Sequence, residues 1–329
     1  MPTRRRALFI LAALAALAVA SLALALVVGS VHVPLGDVFP ALFGAENSMS
    51  AEVVRSLRLP RALAGFACGG LLALAGALLQ VLLRNPLADP YVLGISGGAG
   101  VGAILAMSLG LGVAGVNGAS FAGALAAMLV VFGLAHGDGS WTQTRLLLTG
   151  VIVAAGCGAM VALMLSIAPD SKLHGMLFWL MGDLSQSTDP TLVLVILVVV
   201  LLISMPYARE LNLLARGADT AQTLGVQVGP LRRGVYVVAS LATAAAVTQA
   251  GSIGFVGLIV PHLVRLAVGN DQRLLLPASI LAGGSLLVIA DTLARTVIAP
   301  QQLPVGVLTA LIGVPVFLFL LARDAKARA

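Results

Sequence analysis

Leu59-Pro-Arg-Ala-Leu-Ala-Gly-Phe-Ala-Cys-Gly-Gly-Leu-Leu-Ala-Leu-Ala-Gly-Ala-Leu-Leu-Gln-Val-Leu-Leu83 holds one charged residue, Arg61, in 25 positions. About 20 apolar residues cross the hydrocarbon core of a bilayer as a helix. The stretch is therefore read as a membrane span, and its Gly and Ala content lets neighbouring helices approach closely. Working outward from it, nine similar blocks give ten candidate spans in all: 7–28, 59–83, 91–108, 114–135, 145–167, 190–207, 231–249, 253–268, 274–297 and 305–322. The eighth is the weakest, because Pro261, His262 and Arg265 interrupt it. The expected fold class is all-α, a polytopic membrane protein with one transmembrane domain over 1–329 and no soluble domain.

Composition agrees. The 329 residues are 60% hydrophobic and 10% charged, with a mean hydropathy of +1.07. Soluble domains carry about 25% charged residues. Gly is abundant at 37 residues, which fits a packed bundle. The net charge is +6, yet the cations sit in short loops between apolar blocks, so they set orientation in a membrane rather than bind nucleic acid. Cys68 and Cys157 lie inside apolar blocks and read as buried thiols. Met1-Pro-Thr-Arg-Arg-Arg precedes an apolar run to Val28, longer than a signal core of roughly 7–15 residues. It is read as the first membrane helix.

Ten spans put both termini on one side. With the N-terminus inside, 14 Lys or Arg residues fall on the inner side and 5 (Arg55, Arg58, Arg61, Lys172, Arg295) on the outer side. That bias is the positive-inside signature, so both termini are expected in the cytoplasm. Three loops are long enough to hold structure. The outer segment 29–57 ends in arginines, and the outer segment 168–189 carries Phe178-Trp179-Leu180-Met181, which suits a short interfacial helix. The inner segment 208–230 has Asp219 near a helix start and Gly225 at a helix end, so a short helix outside the bilayer is expected there. The Gly-rich connections between spans 2 and 3 and between spans 7 and 8 hint at a duplicated half.

The chain has two lysines, Lys172 and Lys326, and neither lies in a G-x-x-x-x-G-K-[ST] loop. ATP, if used, must be hydrolysed by another polypeptide. Metalloprotease and C-x-x-C patterns are missing from the sequence, and His32, His136, His174 and His262 are scattered. An enzyme is not expected, nor a metal site; haem ligation by His174 in the outer loop is the lesser reading. Asp291 is the one carboxylate within the spans, four residues before Arg295. That spacing favours a structural ion pair over a proton or cation site.

Four stretches then carry a resemblance: Arg58-Leu-Pro-Arg61; Asn85-Pro-Leu-Ala-Asp-Pro-Tyr-Val-Leu-Gly-Ile-Ser-Gly-Gly-Ala-Gly100; Gly251-Ser-Ile-Gly-Phe-Val-Gly-Leu-Ile-Val-Pro-His-Leu-Val-Arg265; and Asp291-Thr-Leu-Ala-Arg295 followed by Leu303–Phe317. Together, in this order, they resemble the FecCD family of iron-chelate and vitamin B12 permeases of ABC importers. The resemblance implies a type II ABC importer permease fold of about ten helices. It also implies a homodimer around a central pathway, two cytoplasmic ATP-binding subunits that hold ATP and Mg, and a periplasmic substrate-binding protein. The bilayer of the bacterial inner membrane would surround it. No cofactor is expected in this chain.

Residue roles follow from the same resemblance. Arg58, Arg61 and Arg295 would meet acidic residues of the binding protein, a task suited to the bidentate guanidinium; interfacial anchoring is the alternative. Leu213, Leu214, Gly217, Ala218, Thr220, Ala221, Leu224 and Gly225 would form the segment that couples to the ATPase. Asn85 and Leu87, and more loosely Gln143 and Thr144, would be the cytoplasmic gate. Gly94, Gly97, Gly98, Gly100 and Gly102 are read as helix-packing positions, and His262 and Arg265 as structural. The solute would be a ferric siderophore, haem or vitamin B12, with iron chelates first on family breadth. An ion-coupled secondary transporter is the alternative, disfavoured by the scarcity of membrane carboxylates.

Overall fold

The computed structural model describes residues 4–29, 33–42, 44, 48–135, 142–187 and 189–328. His32 and His136 lie outside them. Among the described residues the only regular structure is helical. In chain order the helices are α1 (Arg4–Val27), α2 (Leu35–Leu42), α3 (Met49–Glu52), α4 (Leu59–Leu82), α5 (Ile95–Ser108), α6 (Val113–Ala135), α7 (Gln143–Ser166) and α8 (Asp170–Leu180). They continue with α9 (Thr191–Ser204), α10 (Ala208–Arg216), α11 (Ala218–Thr223), α12 (Val228–Ala250), α13 (Val256–Val268), α14 (Gln272–Thr296) and α15 (Val305–Arg328). A π-helical turn, Val53–Arg58, leads into α4.

The ten predicted spans correspond to α1, α4, α5, α6, α7, α9, α12, α13, α14 and α15. α4 is the axis of the bundle. It is apolar on every side, which marks a helix surrounded by others, and it packs against α12, α13 and α14. α14 lies so close that a Cβ at Gly283 would collide with the Gly69 carbonyl. α7 is the opposite case. It leaves Leu148, Ile152 and Leu163 exposed, a continuous apolar face suited to lipid or another protein.

α9 runs on through a 3-10 turn, Met205–Tyr207, into α10, but two other spans are not full crossings. α5 and α13 have 14 and 13 residues, or about 20 Å each, short of a bilayer core of about 30 Å. The missing depth is supplied by segments 85–94, which holds the 3-10 turn Pro90–Leu93, and 251–255, which meet beside the middle of α4. There Pro90 and the Leu72 carbonyl both border Gly257, and Gly76 allows the Gly257 carbonyl to approach. Unpaired backbone at such depth needs partners from the protein. Tyr91 Oη accepts from Ile253 N at 2.7 Å, the Asp89 carboxylate accepts from Tyr91 N at 2.7 Å, and Ser96 and Ser252 pair through their hydroxyls at 2.9 Å. The two Gly-rich connections noted in the sequence thus form one junction. Gly94 at φ 74° and Gly251 at φ 68° turn the chain where other residues would strain. In α5, Gly98 and Gly102 face α6 so closely that a Cβ would strike the carbonyls of Gly123 and Ala119.

Candidate functional site: two ends joined by α4 and α14

Two of the outer arginines, Arg61 and Arg295, converge on Asp291. The carboxylate is presented by α14 near its C-terminus. Arg61, from the first turn of α4, donates to it from Nε at 2.9 and 3.1 Å and from Nη2 at 2.8 Å, and from Nη1 to Gln302 Oε1 at 3.1 Å. Arg295 lies one turn from Asp291 with Nε at 3.4 Å, and its Nη2 donates to the Ala25 carbonyl at 3.2 Å. The expected i,i+4 pair is present, but the tighter partner is Arg61, 230 positions away. No local pattern could announce that pairing.

Arg58 has another place. It is 4% exposed, and Nη1 donates to the Leu26 and Val27 carbonyls at 2.7 and 2.8 Å. The last carbonyls of a helix lack intrahelical partners, so this guanidinium caps α1. The sequence missed this because the capped helix end lies about 30 residues upstream in the chain.

At the opposite end of the bundle, α10 and α11 form a bent pair. Gly217 joins them at φ 133°, a conformation that L side chains rarely adopt. Leu214, Gly217 and Ala221 face inward; Thr220, Leu224 and Gly225 face outward, with Leu224 59% exposed, and Leu213 and Ala218 lie between. Asp219 is in the first turn of α11, and Gly225 follows the end of that helix at φ 84°. The expected short helix is therefore two helices. Two cavities flank the pair, about 600 Å³ on the α9 and α12 side and about 690 Å³ on the α4 and α14 side. Asn212 ties α10 to α14: Nδ2 donates to Asp271 Oδ1 at 2.9 Å and Oδ1 accepts from Gln272 N at 2.8 Å.

The two turns read as a gate are neighbours. Asn85 Oδ1 accepts from Leu87 N at 2.9 Å, closing a local turn that leaves Leu87 39% exposed. Gln143 Nε2 donates to the Leu82 carbonyl at 3.1 Å, so α7 begins by capping the end of α4. Thr144 is exposed beside it; Thr142 Oγ1, one position earlier than Gln143, caps α7 by accepting from Arg145 N at 3.3 Å. His174 stacks near Phe178 on α8 with ring centroids 4.4 Å apart. Among the described residues no group of His, Cys, Asp and Glu is arranged to hold a metal.

α14 thus runs from the Asn212 clamp at one end to Asp291 and Arg295 at the other, 25 residues or about 37 Å. α4 runs beside it from Arg61 to the Asn85 turn. A multi-pass helical permease, with one polar site at each end and a rigid helix pair between, is the class these features define. The chain belongs to the FecCD transport family, whose model matches residues 16–323. Members of the family are ABC transporter permease subunits, membrane components rather than enzymes. The chain is 44% identical over 293 residues to the cobalamin import system permease protein BtuC of Halobacterium salinarum, covering 88% of this chain and 78% of that one. It is 38% identical to the hemin transport system permease protein HmuU of Yersinia pestis, covering 86% of each. A solved structure described as an inward-facing conformation of a metal-chelate type ABC transporter superposes with a TM-score of 0.83 at 31% identity, covering 96% of this chain and 99% of that one.

Proposed function

We propose that the chain is the permease of an ATP-driven importer that carries a large metal chelate across the bacterial inner membrane. Cobalamin is the first solute in this reading, with haem and ferric siderophores as the other members of the class. The observation that carries it is the α10–α11 pair. A chain with no nucleotide loop of its own carries at one end two short helices with an exposed apolar edge at Leu224, and Asn212 joins them to a helix that spans the bundle. Such a pair suits a lever moved by another protein. Two ATP-binding subunits holding ATP and Mg would act on it, and a second copy of the chain would complete the pathway. The apolar face of α7 is compatible with that copy or with lipid.

At the other end, a periplasmic binding protein would dock by its acidic residues on Arg61 and Arg295. Docking would exchange its carboxylates for Asp291, while Arg58 holds α1 in place behind them. The turns at Asn85–Leu87 and Gln143–Thr144 would close the cytoplasmic side. The support for cobalamin is the relative at 44% identity. The test is uptake of labelled cyanocobalamin, haemin and a ferric siderophore by cells with and without the chain. Loss of cyanocobalamin uptake alone is the expected result. Unchanged uptake of all three would refute the solute class, and loss of another solute alone would replace cobalamin within it.

A further inference from the structure

The larger cavity beside α10 is unevenly charged. Three arginines line it, Arg84, Arg216 and Arg265, against one carboxylate, Asp271. Asp271 is already engaged: it accepts from Asn212 Nδ2 at 2.9 Å and from Arg273 N at 3.1 Å, capping α14. Arg265 donates to Gln80 Oε1 at 2.8 Å. Arg84 and Arg216 are exposed and have no hydrogen-bond or ion-pair partner among the described residues. Arg84 also sits at φ 47°, a strained conformation for a residue with a side chain. That backbone brings its guanidinium against the α10–α11 bend, with Nη2 3.7 Å from where a Gly217 Cβ would lie. Finally, Gln272 lines the cavity, is 2% exposed, and leaves its side-chain oxygen without a partner.

We propose that this cavity receives an acidic segment of the ATP-binding subunit, a second contact beside the exposed edge of α11. The unpartnered guanidinium groups call for carboxylate oxygens, which Arg binds bidentately. The unpartnered Gln272 oxygen calls for a donor, and a polypeptide brings backbone N–H groups along with its carboxylates. Residues of α10 line the cavity, so what docks on α10–α11 stands at its mouth. Because Asn212 and Asp271 form its wall, a segment entering here would press on the start of α14 as well as on α10. The inference rests on reading α10–α11 as the ATPase-facing lever.

The test uses the full-length permease in nanodiscs with its ATP-binding subunit, and measures capture affinity. Arg84→Glu with Arg216→Glu is expected to weaken capture roughly tenfold or more, and raised salt should weaken the wild type in the same sense. Arg84→Lys with Arg216→Lys keeps the charge and should lose much less. A crosslinker placed at Arg216→Cys should join a peptide of the ATP-binding subunit that contains Asp or Glu. Capture that is weakened by Leu224→Asp but unchanged by the charge reversal would overturn the cavity proposal and leave the lever intact. Crosslinking to a second copy of the permease, or protection of the cavity by inorganic phosphate with capture unchanged, would also overturn it. Failure of the wild type to capture the ATP-binding subunit at all would overturn the lever reading itself.

Discussion

Asp291→Asn is the most informative single change, because one carboxylate neutralises two largely buried guanidinium groups. The side chains of Arg61, Arg295 and Asp291 are 12%, 10% and 5% exposed. Asparagine keeps the shape and one acceptor but removes the charge. Removing one partner of a buried ion pair costs about 3–5 kcal/mol, mostly because the remaining charge is left uncompensated. Gln302 and the Ala25 carbonyl retain some contact with the arginines, which puts the expected loss near the lower limit, about 3 kcal/mol. For a chain of 329 residues that is a fall in Tm of roughly 4 °C. Cys68 offers the assay: it is fully buried in α4, so its reaction with a thiol-reactive fluorophore reports unfolding in a Cys157→Ser background. Adding Arg61→Gln to Asp291→Asn should recover a large part of the loss, giving a coupling of about 1.5–3 kcal/mol in a double-mutant cycle. A single-variant shift under about 2 °C, or strict additivity, would show that the triad is not an electrostatic unit. The same variant frees Arg61 and Arg295 and should tighten binding of the acidic partner proposed for that face.

Other expectations concern the rest of the bundle. Gly76→Val drives side-chain atoms into the Gly257 carbonyl and should abolish folded protein in detergent extracts, judged by size-exclusion chromatography. Tyr91→Phe leaves the Ile253 N–H unpaired at the centre of the bundle and should cost about 1–3 kcal/mol in the Cys68 assay. Leu224→Asp places a charge on the exposed edge of α11; it should lower solute-stimulated ATP hydrolysis by the complex with little change in the permease's own Tm. Thr220→Cys should react with an impermeant maleimide in inside-out vesicles and not in right-side-out ones.

Much of the bundle was legible because apolar blocks and Arg placement are one-dimensional signals. The stretches 59–83 and 145–167 announce themselves by length and by holding a single charge each. The short helices α5 and α13 were harder, since the spans read at 91–108 and 253–268 counted residues 91–94 and 253–255 as membrane helix. Their non-helical depth depends on partners such as Tyr91 and Ile253, which lie 162 residues apart. The α10–α11 segment was visible as a polar interruption with Asp219 and Gly225 at helix boundaries, whereas its clamp through Asn212 to Asp271 was not. The outer arginines were visible as violations of charge bias. Which of them caps α1, and which holds Asp291, is decided by helix packing.

The central claim is that this helix bundle moves its solute with force delivered by a separate ATPase through α10–α11. Its most direct test is uptake of labelled cyanocobalamin into proteoliposomes holding the permease, the ATP-binding subunit and the binding protein. The account predicts accumulation that requires ATP and the ATP-binding subunit, is unaffected by ionophores, and is lost with Leu224→Asp. Accumulation by the permease alone, or uptake driven by an ion gradient without ATP, would contradict it.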